Sequence, residues 1–158
     1  MVDDMIETGE TMYKYILLLH VIAATIWAGG HLVLALTVLP RALKYRSTEM
    51  IQQFENGYER IGLPALVIQI VTGIWLAWRY APHVGTWLSF HSTTTTLIAC
   101  KLVFLLLTLV LALDARLRLI PRLSIQTLPA LAWHISAVTL LALGLVVVGV
   151  GFRVGGFP

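Results

Sequence analysis

The sequence predicts an all-α protein, an integral membrane antiparallel four-helix bundle. Four apolar runs, at about 13–39, 61–80, 86–113 and 130–152, each reach the ~20 residues a helix needs to cross hydrocarbon. Hydrophobic residues make up 58% of the chain and charged residues 12%, with a mean hydropathy of +0.85, which leaves too little polar surface for water. The segments between the runs are short and so join neighbouring helices antiparallel. At 158 residues the chain reads as one domain, 1–158, whose first partner is the lipid bilayer.

The first run, Tyr13 to Leu39, holds 27 residues and one charged side chain, Lys14 at its edge. Residues 1–12 carry Asp3, Asp4, Glu7 and Glu10, the wrong sign for the start of a cleavable signal, so this helix is expected to remain as an anchor. His20 and His31 are eleven residues apart and leave the same helix face, about 16 Å apart along the axis. Ala24 and Trp27 share that stripe, and Ala23, Ala28, Gly29 and Gly30 border it. Pro40 is the expected helix stop, followed by Arg41, Lys44 and Arg46. From Ser47 to Arg60 the chain is polar, with Ile51, Phe54 and Tyr58 at helical spacing, the pattern of a short separate interfacial helix.

The second run takes Pro64 in its first turn and ends on Trp75, Trp78 and Tyr80, an aromatic belt that Trp87 continues. A connection with Pro82, His83 and Gly85 leads to the third run, which has His91 near its start and Lys101 inside it. Asp114, Arg116, Arg118 and Arg122 close that run, and Asp114 with Arg116 is expected to form a surface pair of small weight. Pro121 and Pro129 bracket the next loop. The fourth run carries His134 near its beginning, with Trp133 beside it as an interfacial anchor. Its Gly144, Gly149 and Gly151 permit close approach of another helix, and with it a homodimer.

Lysine and arginine set the expected orientation. Arg41, Lys44, Arg46, Arg60, Arg116, Arg118 and Arg122 lie at one end of the bundle, against Lys14, Arg79 and Arg153 at the other. The richer end faces the cytoplasm, which puts both termini outside. The net charge of +3 is confined to these loops and gives no reason to expect nucleic acid. One cysteine, Cys100, excludes an internal disulfide and any CxxC motif.

Depth then sorts the histidines into an outer pair, His20 with His91, and an inner pair, His31 with His134. Bis-histidine ligation of haem b needs imidazoles from separate helices on either side of a flat cofactor, with small residues making room. The pattern predicts one or two such haems, with Arg79 at the outer propionates and Arg41 or Arg116 at the inner ones. Copper is the alternative metal. Its soft ligands are scarce, because Met1, Met5, Met12 and Met50 fall outside the runs, but His20, His83 and His91 are available outside. Lys101 costs a few kcal/mol near mid-bilayer. Its expected role is a charge partner for a propionate, a quinone oxygen or a substrate carboxylate, and it is the candidate catalytic residue.

Leu19-His20, Trp27-Ala28-Gly29-Gly30, Leu39-Pro40-Arg41, Thr72-Gly73 and Lys101-Leu102 together resemble the CopD-type membrane domain. They are also similar to the related HemJ family of haem-dependent protoporphyrinogen oxidases. The resemblance implies a bacterial inner-membrane four-helix protein with His20 as a metal or haem ligand and Lys101 as a functional lysine; with the orientation set by lysine and arginine, both termini are expected to be periplasmic. The expected function is a b-type haem protein transferring electrons between a quinol or a periplasmic redox partner and an acceptor. A copper-handling protein of CopD type and a HemJ-like oxidase are the alternatives.

Overall fold

The computed structural model describes the backbone over 2–156 and side chains over 7–156, so Met1, Met5, Asp3 and Asp4 of the sequence reading lie outside the described side chains. Its helices are α1 (Val2–Val33), α2 (Leu39–Tyr45), α3 (Glu49–Tyr80), α4 (Thr93–Asp114) and α5 (Leu128–Val154). A wide π-helical turn, Leu34–Val38, joins α1 to α2, so one rod runs through the expected first span and beyond it. Four rods, Glu7–Tyr45, Glu49–Tyr80, Thr93–Arg122 and Leu128–Val154, are long and apolar enough to cross a membrane. The protein is a multi-pass, all-α bundle whose apolar faces fit a lipid bilayer.

Three boundaries differ from expectation, each for a local reason. Pro40 does not stop the first rod. Proline lacks an N–H and crowds the carbonyl four residues back, and here the preceding Leu39 N–H reaches Leu34 O, five residues back, opening the helix ahead of the ring. The same device recurs where Ile120 N–H reaches Ala115 O ahead of Pro121. Ser47–Arg60 is not a separate helix: α3 is continuous from Glu49 through Pro64, which therefore sits in the helix interior rather than the first turn. The carbonyl that Pro64 leaves unbonded belongs to exposed Arg60, where water or a headgroup can satisfy it. The third span begins at Thr93 and not near 86, because Ser92 caps it: Ser92 Oγ accepts from Thr95 N–H at 3.2 Å and Thr95 Oγ1 accepts from Ser92 N–H at 3.2 Å.

Packing pairs α1 with α3 and α4 with α5, and α1 against α5 joins the two pairs. The core forms three layers. Leu34, Leu39, Ala42, Ile51, Leu128, Leu131 and Ile135 fill the basic end. Trp27, Ala28, Leu66, Val138 and Ala142 fill the middle. Ala81, Trp87 and Ile98 close the end that carries the termini. Trp87 is thus a core residue rather than an interfacial anchor, its indole N–H donating to Ala81 O at 2.8 Å. Small residues give the helices their close approach: Gly144 of α5 receives the Phe104 ring of α4.

Candidate functional site

His20 projects from α1 onto α3. Its Nδ1 lies 2.8 Å from Thr72 Oγ1. That hydroxyl spends its own hydrogen on α3 backbone, at Ile68 O 2.6 Å away or Gln69 O at 3.4 Å. Thr72 can therefore only accept from the ring, so Nδ1 carries the hydrogen and the Nε2 lone pair is left outward. Gln69 Nε2 approaches that lone pair at 3.4 Å, a long contact that a stronger acid can displace. Gly73 completes the seat. A Cβ there would stand 3.2 Å from His20 Cε1, so glycine lets the imidazole lie against the backbone of α3.

Lys101 projects from α4 onto α5. Its Nζ sits over the Phe152 ring, 5.2 Å from the centroid, and faces Gly149 of α5. Among the described residues, no carboxylate pairs with it. Fragments far apart in sequence, His20 and Gln69–Gly73, thus meet where α1 packs on α3, in the half of the bundle nearer the termini.

The other expected ligands are placed differently. His31 packs on Trp27 at 4.4 Å and near Tyr58 at 6.1 Å between ring centroids, and both its ring nitrogens are buried without a partner, as is Trp27 Nε1. His134 is occupied on both sides, with Nδ1 3.0 Å from Ala130 O and Nε2 3.0 Å from Asp114 Oδ2, so both nitrogens face oxygen acceptors. His91 is exposed in the bend before α4, not inside the helix. His83 is exposed in the α3–α4 connection. No hydrogen bond or ring contact links His20 with His91 or His31 with His134 among the described residues. Nor do any three His, Cys, Asp or Glu side chains there gather closely enough to hold a metal ion.

The arginines are similarly committed. Arg79 reaches Glu10 at 3.5 Å, and Arg116 grips Glu59 through both terminal nitrogens, one at 2.9 Å. Arg116 therefore does not pair with Asp114, whose partners are Arg118, at 2.9 Å, and His134. Arg41 is exposed on α2. At Gly30, one of the small residues bordering the His31 stripe, the room is taken by Tyr58. Tyr58 lies where side chains at Gly30 and Gly62 would stand, and its hydroxyl donates to Ile26 O and Trp27 O, each at 3.1 Å.

Gln69, Thr72 as a hydrogen-bond partner, Tyr58 and Glu59 went unnoticed as site residues in the sequence. A signal existed for the first two, since polar residues three apart inside an apolar run share one helix face. Residues 52–152 match the family described as copper resistance protein D. No curated protein matches the chain, and no solved structure does.

Proposed function

Because the chain belongs to the copper resistance protein D family, we propose that it handles copper within the membrane and that His20 is its metal contact. The observation that carries this reading is the Thr72–His20 hydrogen bond, which fixes the imidazole with its Nε2 lone pair outward. Imidazole suits copper, and a hydrogen-bonded second nitrogen is the usual support of a histidine ligand. One strong donor from the protein gives a contact weak enough to be released, which suits passage better than storage. Copper is here a cargo. Haem is the outcome that an absorption spectrum of the same preparation would reveal.

The test is copper content of the purified protein, with copper accumulation by cells expressing it as a second readout. His20→Ala should lose both. Thr72→Val keeps the shape but removes the acceptor, and should weaken copper binding by about 10–100-fold, the usual cost of losing such a support, while Thr72→Ser retains it. Copper binding unchanged in His20→Ala would refute the assignment, as would a haem spectrum that depends on His20.

We further propose that the ends of the rods carrying both termini face the periplasm, in a bacterial inner membrane, on the strength of the lysine and arginine distribution. In a Cys100→Ser background, Val84→Cys should react with an impermeant maleimide added outside intact spheroplasts, and Lys44→Cys only after lysis. The opposite labelling pattern would invert the topology.

A further inference from the structure

His20 gives its Nδ1 hydrogen to Thr72 and turns its Nε2 lone pair toward the side-chain amide of Gln69, 3.4 Å away. His20 belongs to α1 and Gln69 to α3, so the two groups face one another across a helix contact. That separation is long for a hydrogen bond, and it is the spacing of two donors that share one metal ion. An imidazole nitrogen at about 2.0–2.1 Å and an oxygen at about 2.0–2.2 Å, both on one tetrahedral ion, stand about 3.4 Å apart. The amide presents its nitrogen to the ring, but a half turn about its Cγ–Cδ bond puts the carbonyl oxygen in that place. The turn breaks no other hydrogen bond: among the described residues, the contact with His20 is the only one that the Gln69 side chain makes.

We propose that Gln69 is a second ligand of the copper ion, its Oε1 joining His20 Nε2 in a two-donor site that spans α1 and α3. The inference rests on the copper reading above and specifies the form of the cargo. Imidazole nitrogen with amide oxygen, and no sulfur, is a donor pair for Cu(II) rather than Cu(I). Thr72 stands three residues after Gln69, so the group that holds Nδ1 and the group that meets Nε2 leave one face of α3. The same stretch of helix thus fixes the ring's tautomer and completes its metal site. Two protein donors leave the other coordination positions to water or an incoming ligand, which keeps the ion exchangeable.

The sign of a substitution series tests this. Copper(II) sulfate is titrated into the purified full chain against glycine as a competing chelator, and Cu(I), supplied anaerobically, is measured alongside. Gln69→Leu keeps most of the bulk but has no donor, and should weaken Cu(II) binding by at least about tenfold, no less than the loss of a supporting hydrogen bond costs. Gln69→Glu puts a charged oxygen at the same reach and should bind more tightly than the wild type, which also shows that a change at this position leaves the fold intact. If the amide serves only as a donor covering the Nε2 lone pair, Gln69→Leu frees that lone pair and the sign is the opposite.

Cu(II) affinity unchanged or raised in Gln69→Leu would overturn the inference and leave the copper reading standing. So would weakening in both variants, which marks a packing role for the amide, or a wild type that takes Cu(I) and refuses Cu(II). A wild type that binds copper in neither form would instead overturn the copper reading itself.

Discussion

Position 30 has to be glycine because Tyr58 occupies the place where its side chain would stand. The phenol ring crosses from α3 into the notch that Gly30 makes in α1, and its hydroxyl satisfies itself on two carbonyls of that helix. Gly30→Ala should therefore push the ring out and cost about 1–3 kcal/mol, the usual range for overpacking, seen as a lower thermal midpoint in detergent. Combined with Tyr58→Ala, the loss should be well short of the sum of the two single losses, since the clash is gone. Additive losses would show that ring and glycine do not meet. Residue by residue, His20 and Lys101 drew attention in the sequence because imidazole and ammonium are costly in lipid and rare in an apolar run. Thr72 as the partner of His20 was not legible, since a threonine in a transmembrane helix most often bonds to its own backbone, as Thr108 does to Phe104 O at 2.7 Å. Here the threonine does both, and only coordinates reveal the second contact.

Among the elements, hydropathy found the four rods and misplaced their ends. Length and apolar content are properties of one segment, and they carried the existence of each helix. The ends depend on details that hydropathy averages away. Ser92 caps α4 and leaves His91 outside it, so an imidazole expected within the bilayer stands in the connection instead. Pro40 read as a helix stop, because proline removes a hydrogen bond, and Pro121 as one bracket of a loop. Each is tolerated here by a π-helical turn that shifts the bonding one residue back. Polarity alone suggested a separate helix over Ser47–Arg60, yet Ile51 is fully packed in the basic-end core, Phe54 lies against it, and that anchoring holds the segment in line with α3.

At the scale of the whole molecule, the antiparallel bundle followed from short connections, but the order of its neighbours did not. Pairing α1 with α3 and α4 with α5 brings His20 onto Thr72 and Lys101 onto the Phe152 ring. His91 stands ahead of α4 rather than inside it. His134 becomes part of a polar link between α4 and α5, through Asp114, while Arg116 and Glu59 tie the end of α4 to α3. The proposed site thus reduces to one imidazole on one metal. X-ray absorption at the copper edge of the loaded protein counts imidazole scatterers directly. One imidazole per copper is expected, absent in His20→Ala. Two or more imidazoles per copper, or a single one that survives His20→Ala, would contradict it.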